Sequence, residues 1–243
     1  MALTDHDTTD GLVEAERIAK QLEIQLIPGI ELSVNWEKQC FHIIGLNINR
    51  HYPPLKEGTA SIKSLRIERA IKMGHQLEKK GFEDIYRDAC HLAGNGMITR
   101  THVARVLVER KVVSTMQKAF DLYLKRGKPG YVAAKWVDLS EGLKWITEAG
   151  GTAVLAHPRR YKITATRLRK LLTAFKENGG QGIEVVCGNS NKDDISVSAR
   201  FARDFDLQGS VGSDFHTPDS PWIELGRLKA MPTDITPVWK KWI

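Results

Sequence analysis

Acids and imidazoles recur in this sequence at the ends of short apolar runs. Asp5-His6-Asp7 follows Met1-Ala2-Leu3, and Glu31 follows Ile27-Pro28-Gly29-Ile30. His42 lies in Phe41-His42-Ile43-Ile44-Gly45-Leu46, His157 ends Ala153-Val154-Leu155-Ala156, and Asp214 with His216 follows Val211-Gly212-Ser213. Imidazole nitrogens and carboxylate oxygens are donors suited to Zn, Mn or Fe, and bridging carboxylates allow more than one ion in a site. The chemistry these residue types point to is metal-assisted hydrolysis. A lone histidine is more often a packed or solvated side chain. Repeated coincidence with run ends is what carries the expectation here.

For those groups to meet, the preceding runs must be strands whose carboxyl ends share one face of a sheet, where α/β folds gather their ligands. The rest of the pattern supports this. A helical face of Leu12, Ala15, Ile18, Ala19 and Leu22 starts from Thr8 or Thr9 as N-cap. Residues 24–27 read as a strand stopped by Pro28-Gly29, and residues 41–46 as the next strand. Helices over 140–149, 164–177 and 193–205 precede strands over 152–156, 182–186 and 208–211. Such alternation predicts the α/β class, with a mainly parallel sheet that is open or closed into a barrel. Helices alone fill 61–80, 83–92, 101–113 and 114–124, which predicts an inserted helical lobe (60–124) in a body made of 1–59 and 125–243. The basic link Lys125-Arg126-Gly127-Lys128-Pro129-Gly130 leads out of the lobe.

The chain has 243 residues, 42% hydrophobic and 27% charged, and a mean hydropathy of −0.32. This balance suits a soluble globular domain with an insertion and excludes wholesale disorder. No run nears the roughly 18 apolar residues of a membrane span, and the three acids and one histidine among the first ten residues do not fit a signal peptide. Cys40, Cys90 and Cys187 are odd in number and contain no CxxC pair, which points to a reduced cytoplasmic compartment and excludes a structural zinc ribbon. Thirty-six Lys and Arg against 29 Asp and Glu give a charge of +7. That excess favours polyanionic partners such as nucleotides or nucleic acid.

The segments Thr4-Asp5-His6-Asp7, Pro28-Gly29-Ile30-Glu31, His42, Ala156-His157-Pro158 and Gly212-Ser213-Asp214-Phe215-His216 resemble the PHP (polymerase and histidinol phosphatase) family. Trp36-Glu37, Gly45-Leu46-Asn47-Ile48, Thr99-Arg100, His102-Val103-Ala104-Arg105, Arg126-Gly127-Lys128, Gly130-Tyr131-Val132 and Pro221-Trp222-Ile223-Glu224-Leu225-Gly226 lie outside the metal motifs. They narrow the resemblance to the bacterial branch of 3',5'-nucleoside bisphosphate phosphatases and 5'-to-3' exoribonucleases, over nearly the whole chain. The resemblance implies a distorted, TIM-like β/α barrel holding up to three divalent metals, manganese foremost with Zn or Fe as alternatives. It also implies that the helical insertion covers the site. Carried over by position, His6, Glu31, His42, His157, Asp214 and His216 are the implied metal ligands, with Asp5 and Asp7 in supporting roles. No side chain is implied as nucleophile; a water on the metals takes that part.

The resemblance departs in one respect. The family opens on a strand with a His-x-His motif followed by an acidic ligand, and no HxH occurs in this sequence. The expectation is therefore a barrel short of its first strand and three ligands in this sequence, a true start upstream of Met1, and, were Met1 the true start, poor metal loading and poor folding. Thr99-Arg100-Thr101-His102 reads on composition as a solvated helix start able to hold a phosphate. The resemblance assigns substrate contacts to Thr99, Arg100 and His102. Lys128 in its loop and Arg160, three residues after His157, could add phosphate contacts, and Tyr131 or Trp136 could stack on a base. The implied activity is a metal-dependent phosphoesterase that releases the 3' phosphate of 3',5'-nucleoside bisphosphates and trims 5'-monophosphorylated RNA ends. The alternatives are a non-catalytic nucleotide- or RNA-binding module and a histidinol-phosphatase-like enzyme.

Overall fold

The computed structural model describes residues 1–188, 190–216 and 223–242, so Pro221 and Trp222 lie outside the described residues. Along the chain come β1 (Ala2–Leu3), α1 (Leu12–Gln21), β2 (Ile27–Trp36), β3 (Gln39–Leu46), α2 (Pro53–Glu78), α3 (Ile85–Ala93), α4 (Arg100–Glu109) and α5 (Met116–Ala119). Then follow β4 (Val137–Asp138), α6 (Leu139–Glu148), β5 (Thr152–Leu155), α7 (Ala165–Glu177), β6 (Gly182–Cys187), α8 (Lys192–Asp204) and β7 (Gln208–Gly212). The chain divides into two compact units, Met1–Lys56 with Val137–Ile243, and Glu57–Trp136.

In the first unit the strands form one sheet in the order β1-β2-β3-β5-β6-β7, with β4 also on β2. Pairs β1–β2, β2–β4, β5–β6 and β6–β7 are parallel, whereas β3 runs antiparallel to both β2 and β5. This mixed α/β sheet, curled as a half-barrel, agrees with the expected class. Every residue of β5 and β6 is buried. That explains why they read as mainly apolar runs, since a sheet covered on both faces loses the polar-out alternation. Leu143 and Ile146 of α6 and Leu171, Leu172 and Phe175 of α7 are fully buried in this unit's core.

Two local readings are corrected. Pro28-Gly29 does not stop a strand; β2 runs through both to Trp36 and turns into β3 at Glu37 and Lys38, whose φ of 46° and 64° make the tight hairpin. Pro28 falls in the first two residues of β2, where a missing donor costs little. Gly29 is needed for close approach: a Cβ there would lie 2.7 Å from Thr4 Cγ2, 2.9 Å from the Gly45 carbonyl and 3.0 Å from the Leu3 carbonyl. Backbone on both sides cannot yield, so Gly29→Ala is expected to cost about 1–3 kcal/mol of stability, read as a lowered urea midpoint. The first helix also starts later than expected, at Leu12 after Gly11, because the Thr8 hydroxyl instead accepts the Asp10 N–H at 3.1 Å. Of its apolar face, Leu12 and Ala19 are buried, while Ile18 and Leu22 are 36% and 61% exposed.

The second unit is helical, with Met73, Leu77, Ile85, Val103, Leu107 and Leu124 in its own core. The stretch expected as one helix over 114–124 is α5 followed by a wider π-type turn, Phe120–Leu124. The unit extends past 124 because residues 125–136 fold back onto it. Gly130 N–H donates to the Tyr123 carbonyl at 2.8 Å, Arg69 Nε donates to the Val132 carbonyl at 2.8 Å, and Val132 packs on the core. Trp136 is 8% exposed, with the Arg66 guanidinium 4.7 Å from its ring centre. It is a packed side chain rather than a platform for a base.

Candidate metal centre

Glu31 is the hub of the site. In the β2–β3 register Ser33 stands opposite His42 and Glu31 opposite Ile44, so Glu31 and His42 are diagonal neighbours on one face. Residues 5–7 run on beside β2: Glu31 N–H donates to the Asp5 carbonyl at 3.0 Å and Asp7 N–H to the Glu31 carbonyl at 2.9 Å. This brings His6 level with Glu31. His157 comes from the other side, just past β5, where the chain leaves the sheet with φ of 29° and ψ of 58°.

The imidazoles close on the one carboxylate. His42 Nδ1 lies 2.9 Å and His157 Nε2 3.0 Å from Glu31 Oε1, the two nitrogens are 3.2 Å apart, and His6 Nδ1 is 3.7 Å from Glu31 Oε2. Burial alone would resist ionising Glu31. Hydrogen bonds from His157 and His42 and the charges of His6 and His42 outweigh that and hold its carboxyl well below the usual range. Burial likewise opposes a charge on His157, yet its hydrogen bond to Glu31 and the nearby Glu31, Glu184 and Asp214 carboxylates raise it overall.

Among the described residues, His6, Glu31 and His42 each offer a ligand atom, all within 4.8 Å of one another. Cations with bonds of about 2.1 Å set ligand atoms about 3.0–3.4 Å apart, close to the spacings found between His42, His157 and Glu31. His157 Nδ1 is buried without a hydrogen-bond partner. The donor set and its spacing fit a divalent cation.

Asp214 and His216 stand beside this cluster. The rings of His6 and His216 are 5.6 Å apart, His216 Nδ1 is 3.5 Å from Asp214 Oδ1, and Asp214 pairs with the Arg160 guanidinium. Arg160, expected as a phosphate contact, is thus an ion-pair partner of an expected ligand. Asp5 is raised by burial, opposed by the charge of His216. Asp7 is fully buried and its Oδ1 accepts the Ser33 N–H at 2.6 Å, a supporting role of the expected kind.

Thr99, Arg100, His102 and Lys128 belong to the second unit. Thr99 caps α4: its hydroxyl accepts the Thr101 N–H at 3.2 Å, while its own N–H donates to His102 Nδ1 at 3.1 Å. His102 therefore plays the part Glu or Gln usually has in a capping box. Arg100 is exposed, 5.9 Å over the Phe120 ring, and Lys128 closes a turn on the Lys125 carbonyl. Burial, then the charge of Arg105, lowers the His102 pKa below 6.5. The unfolded chain then takes up a proton here before the folded one does. The stability this cap contributes is present above the unfolded value of 6.5 and lost as pH falls through the folded one. His102→Gln keeps the acceptor without the titration, so in urea melts the variant should gain stability relative to the parent on going from pH 7.5 to pH 5. Thr99→Ala should cost about 1 kcal/mol at both.

Two groups at the site escaped the sequence reading. Glu184 is 3% exposed on β6 and its Oε2 accepts the His157 N–H at 2.6 Å. The sign was present, because one acid in the apolar Gly182-Ile183-Glu184-Val185-Val186-Cys187 is an anomaly in a buried strand. Tyr161 Oη accepts the His42 N–H at 2.8 Å, and burial pushes its phenol well above the usual value. Nothing in the sequence marks Tyr161 beyond its nearness to His157.

No protein-family model matches the chain. A curated 5'-3' exoribonuclease of Haemophilus influenzae is 45% identical over 241 residues, 99% of this chain and 87% of that protein. A 3',5'-nucleoside bisphosphate phosphatase of Chromobacterium violaceum is 41% identical over 242 residues, 99% of this chain and 85% of that protein. A solved structure of an amidohydrolase from Chromobacterium violaceum with bound sulfate and no metal superposes with a TM-score of 0.93 at 41% identity, over 99% of this chain and 84% of that one. Identity at this level across almost the whole chain, together with the convergence on Glu31, places this protein in the PHP family, in the branch of 3',5'-nucleoside bisphosphate phosphatases and 5'-3' exoribonucleases.

Proposed function

We propose that the chain is a divalent-metal-dependent phosphoesterase that removes the 3' phosphate from 3',5'-nucleoside bisphosphates and trims 5'-monophosphorylated RNA in the 5'-to-3' direction. The observation that carries this reading is the meeting of His42 Nδ1 and His157 Nε2 on one Glu31 oxygen, with His6 alongside. His6, Glu31, His42, His157, Asp214 and His216 are the residues that would hold the ions, with manganese as the preferred metal. Bound cations supply Lewis acidity, lowering the pKa of water and neutralising phosphoryl charge.

The chain's own residues do the rest. Glu31 brings a full negative charge to a buried place, so that cations are held there by charge as well as by lone pairs. His42 on β3 and His157 in the turn after β5 aim their nitrogens at that charge. Arg160, paired with Asp214 at the rim, is a forked cation for a terminal phosphate. The family resemblance assigns substrate contacts to Thr99, Arg100 and His102, and Lys128 in its basic loop is a further candidate phosphate contact. Clamping one phosphate while the next phosphoester is attacked is how one geometry serves both a small bisphosphate and an RNA end.

The three cysteines are free thiols and no described helix is long and apolar enough to cross a membrane; a cytoplasmic enzyme is the location that fits. The test is phosphate release from 3',5'-bisphosphoadenosine and histidinol phosphate, and mononucleotide release from 5'-phosphorylated RNA, with Mn, Mg or Zn supplied. Turnover of the bisphosphate and the RNA with manganese is expected. Hydrolysis of histidinol phosphate alone, or binding of nucleotide without turnover while metal is bound, would overturn the assignment.

A further inference from the structure

Where β3 and β5 separate, one backbone donor is left for a side chain. Ala156 N–H donates to the His42 carbonyl at 3.1 Å, and in a regular antiparallel pair the two residues would exchange both bonds. The chain instead leaves the sheet at His157, φ 29°, and the His42 N–H goes to Tyr161 Oη at 2.8 Å. A short turn over Pro158–Arg160 brings Tyr161 back. Its ring then lies 5.3 Å from the His157 ring and 4.7 Å, edge-on, from that of Phe41. One side chain thus holds the backbone of His42 and the imidazole of His157, whose nitrogens must keep their 3.2 Å spacing to share a cation.

We propose that Tyr161 is a positioning residue of the metal centre: its hydroxyl and ring set the distance between the His42 and His157 imidazoles before any cation arrives. This rests on the reading of those histidines as cation ligands. Partners that orient ligands from behind typically change metal affinity 10- to 100-fold when removed. The hydroxyl can be removed with the ring retained.

The test is the Kd for Mn2+, measured by calorimetric titration of chelator-stripped protein at a temperature well below unfolding, for the parent chain and Tyr161→Phe. The expected result is a Kd raised about 10- to 100-fold in a variant whose near-UV circular dichroism is that of the parent. Phe175→Leu is the control, since Phe175 is fully buried on α7 away from the cluster; it should lower the melting temperature and leave Kd within about twofold. A second variant carries 3,5-difluorotyrosine at position 161, which keeps the shape with a poorer acceptor oxygen, and should give an intermediate Kd even if Tyr161→Phe folds badly. Parent-like Kd in both Tyr161 variants, or an equal loss in Phe175→Leu, would overturn the proposal. Failure of the parent chain to bind Mn2+ would instead overturn the metal-site reading beneath it.

Discussion

Glu31→Gln is expected to lower manganese-supported phosphate release at least ~10^3-fold, the equivalent of about 4 kcal/mol of barrier, and to leave the isolated protein nearly empty of metal. The substitution keeps size and shape, so the loss comes from charge. Two imidazole nitrogens lie 2.9 and 3.0 Å from one Glu31 oxygen, and a third lies 3.7 Å from the other. An amide has one neutral acceptor, and its NH2 would face an imidazole instead of a cation. The fold should survive, because Gln fills the same volume and its amide oxygen still accepts a hydrogen bond from an imidazole. Two measurements separate loss of metal from loss of fold. Saturating Mn2+ should stabilise the parent, as any ligand of the native state does, by about 2.7 kcal/mol at 100 times Kd and so raise its melting temperature. Glu31→Gln should melt at the same temperature with or without the ion. Parent-like turnover and metal content in the variant would remove Glu31 from the centre of the site.

Much of this was legible in the sequence, for physical reasons that can be stated. The alternation from Leu139 to Gly212 is clear because each helix carries a one-sided apolar face, and β5 and β6 are mainly apolar runs covered on both sides. Strand β2 was not legible: Pro28-Gly29 looks like a stop, and only the neighbours on either side of Gly29 explain why glycine is required within the strand. The edge of the helical unit was hidden for a similar reason, since the return of Val132 and Trp136 to it depends on Arg69 and Arg66, more than sixty residues earlier. For the candidate metal centre, acids and imidazoles beside apolar runs single out His6, Glu31, His42 and His157, although Glu31 and His42 fall inside β2 and β3 rather than at strand ends, and the sharing of one carboxylate by several imidazoles is a matter of register and turn geometry. The pairing of Arg160 with Asp214 is likewise a tertiary fact. A single sequence holds no sign of it.

Replacing Glu184 tests the support behind His157, and it should appear in the pH dependence of stability. Burial raises the Glu184 carboxyl from 4.5 to about 7, against the His157 N–H bond and charge that favour ionisation. A folded value above the unfolded one means that the native state holds the proton more firmly. This contribution is fully present below 4.5 and is lost as pH rises through about 7. The size is of order 3 kcal/mol. The raised pKa of His157 acts in the same direction. Metal-stripped parent protein should therefore unfold at progressively lower urea concentration from pH 5 to pH 8, and Glu184→Gln, which titrates no proton but still offers an acceptor oxygen, should flatten most of that decline. Glu184→Leu should differ in kind. It leaves the His157 N–H buried and unpaired beside a backbone φ of 29°, a loss of about 1–3 kcal/mol at every pH. A parent-like pH slope in Glu184→Gln would mean that Glu184 is ionised throughout. Equal stability of Glu184→Leu and Glu184→Gln would mean that the His157 turn holds without it, and that the buried acid on β6 does not support the metal centre.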